Sequence, residues 1–262
     1  RQRQMCIRDR IYISDLLEES QMIEILEQYD VGIEIIHFSI SDVLDNAQAE
    51  LKKYEKRLGR FLKERELSLH GPFFDLSPAS FDSQIKRVTM ERFETAYEIA
   101  KQLGAKRIVY HTGFIPITYY IEGWLGNSIA FWKAFMSDKD ESIKVHLENV
   151  YEEAYWPMAK VIDEVGHKAF TACLDIGHVN AYSSKSIEEW VNGLGSRIGH
   201  VHIHNNDGNK DLHHAVHKGT LNMQTTLEHI RQVAPKSTGT LEIADKNQLI
   251  DSLNWMKERH NF

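Results

Sequence analysis

The chain has 262 residues, 42% of them hydrophobic, and a formal net charge of −7. That length suits one large domain or two small ones, with ample apolar material for a core. No run of eighteen apolar residues occurs, which argues against a membrane span, and the acidic balance argues against nucleic acid as a partner, because duplex binding needs a basic surface.

Residues 1–10 hold four arginines and one aspartate, a local +3 that leaves −10 on the rest. They show no helical or strand period and no apolar core of a signal peptide. They read as an N-terminal extension foreign to the fold, with residues 11–262 as one folded domain. Cys6 and Cys173 are far apart, so no disulfide framework is expected and a reducing cytoplasm is the simplest setting.

The predicted elements then alternate. Ile11 to Ser14 reads as a strand and Gln21 to Gln28 as a helix. Val31 to Ile36 is a β-branched strand with Glu34 inside it, followed by an amphipathic helix over Val43 to Arg60. Leu67 to His70 is a strand stopped by Gly71-Pro72, and the helix Ile85 to Gln102 ends at Gly104. Arg107 to His111 is a strand. After it, Phe114 to Phe135 is rich in aromatics, helical in its second half, and longer than a usual strand-to-helix turn. It fits a substrate lid or plain packing on the rim. Lys144 to Glu148 and Phe170 to Asp175 are strands, each followed by a helix, at Trp156 to Val165 and Ser186 to Val191. Ile198 to His204 and Thr238 to Ile243 are the last strands, with helices over Leu221 to Val233 and Leu249 to Glu258. Eight strands alternating with helices imply parallel strands and crossover helices, and at this length a single (β/α)8 TIM barrel of the α/β class.

The densest chemistry lies between His200 and Gly219. His200, His202 and His204 alternate with Val and Ile, so they share one strand face. The polar second half contains Gly208 and cannot continue the strand, which places Asp211 and His213 on the following loop. From the third strand on, the strand ends are His70, His111, Glu148, Asp175, His204 and Glu242. In such a barrel these ends converge on the face where active sites are built. His178, three residues past Asp175, and the Asp211/His213 pair add three more donors. Five imidazoles and four carboxylates are suited to zinc or manganese and exceed what one ion uses, so two or three ions are expected. His146, His200 and His202 lie deeper and read as packed core groups, with His202 able to orient a ligand. His214 and His217 could contact substrate or be solvated. His37, His167, His229, His260 and Lys218 read as ordinary.

Leu-His70-Gly-Pro, Tyr-His111-Thr-Gly, Leu-Glu148-Asn, Asp175-Ile-Gly-His178, His204-Asn-Asn-Asp, Asp211-Leu-His213 and Leu-Glu242-Ile together resemble the xylose isomerase-like barrels. That superfamily includes sugar-phosphate isomerases and epimerases and the endonuclease IV (AP endonuclease family 2) branch. The resemblance implies four ligands, Glu148, Asp175, His204 and Glu242, for an isomerase. For the endonuclease-like branch it implies all nine. One ion would then sit on His70, His111 and Glu148. A second would share Glu148 and take Asp175, His204 and Glu242, and a third would take His178, Asp211 and His213. The chain departs from endonuclease IV at Val150-Tyr151 and at His217-Lys-Gly219, and it lacks recognisable DNA-wedging loops. The stretches after His70 and around Gly123-Trp124 are similar to cobamide-remodelling phosphodiesterases. The primary expectation is therefore a metal-dependent hydrolase of a small-molecule phosphodiester, with Glu148, Glu242, Asp175 and His204 at the catalytic centre. The alternative is a sugar or sugar-phosphate isomerase or epimerase with Glu148 and Glu242 as acid/base pair. Abasic-site cleavage and a non-enzymatic metal-stabilised binding role are less favoured.

Overall fold

Eight short runs of apolar and β-branched residues each pair in parallel with the next, and the last returns to the first: β1 (Ile11–Ser14), β2 (Gly32–Ile35), β3 (Leu67–His70), β4 (Arg107–His111), β5 (Lys144–Glu148), β6 (Phe170–Asp175), β7 (Ile198–Ile203) and β8 (Thr238–Leu241). This is a closed (β/α)8 barrel, as the alternation predicts. The computed structural model describes residues 10–259. The expected extension, save Arg10, lies outside the described residues, as do Cys6 and His260.

Pleating decides what faces where. Along β7, Val201 and Ile203 pack outward into the helix layer, while His200 and His202 point into the barrel toward Glu34. Strands buried on both faces normally read as continuous apolar runs. Here the inner layer of the barrel is polar instead, with Glu34, Ser68, His146, His200, His202 and Thr240 all buried.

The helices are α1 (Glu19–Gln28), α2 (Ser41–Asp45), α3 (Ala47–Leu58), α4 (Phe61–Glu64), α5 (Ser83–Leu103), α6 (Ile121–Met136), α7 (Trp156–Val165), α8 (Ile176–Tyr182), α9 (Ile187–Leu194), α10 (Met223–Val233) and α11 (Lys246–Arg259). The single helix expected over residues 43–60 is divided at Asn46, whose φ of −121° leaves the helical region. Helix α5 begins two residues early because the Asp82 side chain accepts hydrogen bonds from the Gln84 and Ile85 amides, and it stops at Gly104 with φ of 72°. A Ser186/Glu189 capping box starts α9.

The aromatic section after β4 divides the two readings offered for it. Helix α6 buries Trp124, Phe131, Trp132 and Phe135 in the core. Trp132 packs on Phe170 and Phe93 with ring centroids 5.1 and 5.6 Å apart. These residues are packing, not lid. Only the preceding loop stays at the rim, where Tyr120 is 82% exposed.

Candidate metal centre

The strand ends gather as the sequence implies. His70, His111, Glu148 and Asp175 close β3, β4, β5 and β6, and His204 and Glu242 are the first and first residues past β7 and β8. The strands predicted to reach His204 and Ile243 are thus shorter than expected, because the chain leaves the sheet to form the rim. In the β4–β5 register His111 lies opposite Glu148. The Nε2 atoms of His70 and His111 both stand 3.4 Å from Glu148 Oε2. On the other side, His204 Nε2 lies 3.1 Å from Asp175 Oδ1.

The three donors expected on loops also turn inward. His178 is not on a loop: it lies in the first turn of α8, a helix the sequence reading missed. Asp175 is both strand end and N-cap there, its Oδ1 accepting the His178 amide at 2.7 Å. A short polar stretch after a strand carries too little period to reveal a seven-residue helix. His178 Nε2 and His213 Nε2 approach Asp211 Oδ2 at 3.2 and 2.9 Å. The loop is closed by an Asn205–His214 bridge and by Asn205, whose amide donates to the Val216 and Leu221 carbonyls. His213 takes φ of 48°, a left-handed conformation that costs on the order of 1–3 kcal/mol for such a residue and turns its ring to the mouth. Gly177 is required by packing: a Cβ there would fall 1.9 Å from His204 Cε1.

Ring orientation fits metal binding. His70 Nδ1–H donates to the Gly71 carbonyl at 2.9 Å, His178 Nδ1–H to Asn149 at 2.9 Å and His213 Nδ1–H to Glu242 at 2.7 Å. Each bond fixes the tautomer that leaves Nε2 facing the cluster, the usual arrangement for ligating imidazoles. Glu34 Oε1, Glu148 Oε2, both ring nitrogens of His202, His204 Nδ1 and Asp211 Oδ1 are buried without a hydrogen-bond partner. Buried polar atoms are rarely left so unless something else binds them. His70, His111 and Glu148 form one group whose donor atoms lie within 4.8 Å of one another, and His204, His213 and Glu242 form another. The donor set, nitrogen with carboxylate oxygen, fits a divalent metal ion.

The electrostatics separate the acids. Burial alone would raise Glu148, but the charges of His202 and His111 outweigh it and hold its carboxyl well below the usual range. Burial pushes Glu242 upward, resisted by His202 and reinforced by Glu148. Burial would lower His213, yet the hydrogen bond to Asp211 and the charge of Glu242 push it up to about 9. Burial lowers His111 to about 3, despite Glu148.

Two residues at the centre were not among the predicted ligands. His202 Nδ1 sits 3.2 Å from Glu148 Oε1, 3.4 Å from Glu242 Oε1 and 3.8 Å from Asp175 Oδ2. Its Nε2 stands 2.9 Å from Glu34 Oε1. A lone acid within the β-branched run of β2 was the available signal, since a buried charge needs a partner. His200 is held by Thr238 and Thr240, and His146 by Thr171, so both are hydrogen-bonded core groups as expected. His217 is exposed, while the backbone of His214 pairs with Asn205. Lys218 stands 3.6 Å from Asp251, on the surface. Phe73 stacks on His111 with centroids 4.4 Å apart. Among the described residues no helix is long and apolar enough to cross a membrane.

A curated relative, an uncharacterised protein of Methanocaldococcus jannaschii, is 29% identical over 194 residues, covering 70% of this chain. The match spans 66% of that relative's own length. Among solved structures, a D-tagatose 3-epimerase-like protein shares 25% identity with a TM-score of 0.81, covering 96% of this chain and 97% of its own. D-allulose 3-epimerase from Methylomonas sp., solved with D-allulose, shares 18% identity with a TM-score of 0.71, covering 95% and 96%. The description of the xylose isomerase-like TIM barrel matches residues 27–259, nearly the whole barrel, and this chain belongs to that family.

Proposed function

We propose that the protein is a metal-dependent isomerase or epimerase of a sugar or sugar phosphate, with Glu148 and Glu242 as its acid/base pair. One observation carries this reading. Two carboxylates from strands three apart around the barrel face the same atom, His202 Nδ1, at 3.2 and 3.4 Å. Their surroundings also differ: His202 and His111 hold Glu148 well below the usual carboxylate range, while burial and the neighbouring Glu148 push Glu242 upward. Inverting a carbon beside a carbonyl needs a base on one face and an acid on the other. A divalent ion held by Glu148, Asp175, His204 and Glu242 would polarise the hydroxy-ketone oxygens and acidify the neighbouring C–H. Glu148 then takes the proton and Glu242 returns one from the opposite side. Asp175 and His204 stand 3.1 Å apart beside this pair, and Phe73 stacks on His111. The likeness to a D-tagatose 3-epimerase-like protein over nearly the full chain supports the same class.

A second reading, hydrolysis of a small-molecule phosphodiester, rests on the outer donors. His70 and His111 converge on Glu148, and His178 and His213 converge on Asp211, which is more than a four-ligand isomerase site uses. The isomerase reading is preferred because the solved structure named above at 25% identity is a D-tagatose 3-epimerase-like protein matched over nearly the full chain.

The deciding experiment loads the protein with manganese or zinc. It then follows ketohexoses in deuterated water by NMR and bis(p-nitrophenyl) phosphate by absorbance. Deuterium entering a sugar carbon, and its loss by a factor of ~10²–10⁴ in Glu148→Gln, is the expected result. Cleavage of the phosphodiester without exchange would put the second reading first. One ion per chain accompanies the first outcome, two or three the second.

A further inference from the structure

We propose that Glu34 and His202 form a positioning pair beneath the metal centre, which aims the Glu148 carboxylate at the ions. This rests on the metal-dependent reading of the barrel mouth, not on which reaction occurs there.

The pair is built from the inner layer of the barrel. Glu34 on β2 is completely buried, and its Oε2 accepts hydrogen bonds from Ser68 on β3 at 2.8 Å and Thr240 on β8 at 2.9 Å. Those two hydroxyls fix the carboxylate so that Oε1 faces His202 Nε2 at 2.9 Å. The His202 ring is thereby oriented, and its Nδ1 projects upward to Glu148 Oε1 at 3.2 Å. With Oε1 set against the His202 ring, the other oxygen of Glu148 is left for a cation. That oxygen, Oε2, is the atom found buried without a hydrogen-bond partner, and the one both His70 and His111 approach. The chain of contact therefore runs from Ser68 and Thr240 through Glu34 and His202 to a ligand carboxylate. Carboxylate–imidazole supports of this kind fix ligand direction, and losing one typically weakens metal binding 10–100-fold.

The competing explanation is a charge pair that merely stabilises the core. Direct measurement of metal affinity separates the two. The intact chain, stripped with a chelator, is titrated with ZnCl2 alone and MnCl2 alone against a competing fluorescent indicator. Glu34→Gln keeps shape and removes the charge, and it is expected to weaken the tightest ion ~10–100-fold. The thermal midpoint of the stripped protein is read in parallel, because a buried charge that loses its partner lowers stability by itself. Thr238→Val, which touches His200 and reaches Glu34 only through that ring, should leave affinity close to the wild-type value. Unchanged affinity in Glu34→Gln with a lowered midpoint would overturn the proposal, and so would an equal loss in Thr238→Val. If Glu34→Gln does not fold, Ser68→Ala removes one anchor of Glu34 and must weaken the ion several-fold for the proposal to stand. A wild-type chain that binds the ion tightly but exchanges no sugar proton would sink the isomerase reading while leaving the pair intact.

Discussion

His213 lies flat on His204, with ring centroids 4.0 Å apart and planes within 9°. A loop residue is thereby stacked on a strand-end residue 9 positions earlier, and the loop carrying Asp211 is folded over the centre, not out into solvent. The question this raises is what the outer donors are for.

Asp211→Ala answers it. The substitution removes the oxygen shared by His178 and His213 but none of Glu148, Asp175, His204 and Glu242. The isomerase reading expects the tightest ion to be retained and proton exchange to stay within about tenfold, the size of a single polar contact. Metal analysis and sugar exchange on the same preparation check it. Complete loss of exchange would contradict the four-ligand assignment.

Gly177→Ala tests the packing that places His204. The added methyl would meet the imidazole at 1.9 Å, so the ring must rotate away from Asp175. Metal affinity should fall at least tenfold, a typical cost of disturbing a ligand's orientation. Fold, judged by circular dichroism, should be kept. Wild-type affinity would show that His204 is not a ligand.

Metal binding should release protons. His213, pushed up to about 9, is protonated at neutral pH in the metal-free protein, and an imidazolium cannot ligate. Apparent affinity for an ion on the outer donors, which only the second reading fills, should therefore rise from pH 6 toward pH 9, whereas the ion on Glu148, Asp175, His204 and Glu242 need not follow His213. Calorimetry in buffers of different ionisation enthalpy should register proton release near pH 7.5. The same shift sets a stability trend for the stripped protein. A pKa raised above the ordinary 6.5 gives stabilisation that is complete below about 6.5 and lost as pH climbs through about 9. A flat melting temperature across that window would contradict it.

Trp132→Ala should act on the fold and not on substrate. The side chain is fully buried among Phe93, Phe135 and Phe170. Removing it leaves a cavity worth roughly 3–5 kcal/mol by denaturant unfolding. KM for any substrate found should be unchanged in protein that remains folded. A raised KM with unaltered stability would restore the lid reading.

The sequence alone determined the barrel and the ring of donors. Strand alternation and helix period are local, so they show in a linear pattern, and eight alternations at this length leave few ways to close. The donors at the ends of β3, β4, β5 and β6 and just past β7 and β8 were legible for the same reason: a parallel barrel brings every such end to one face. What the linear pattern could not decide was distance between strands remote in sequence. Glu34 and His202 are 168 positions apart, and only closure of β2 near β7 across the barrel sets them 2.9 Å from each other. The helix around His178, and the inward turn of His213 at positive φ, depend likewise on hydrogen bonds to Asp175 and the Glu242 carbonyl that form only once the barrel exists. The aromatic residues of α6 went the same way, because an amphipathic helix can cover a substrate or a core and only the packing partners say which.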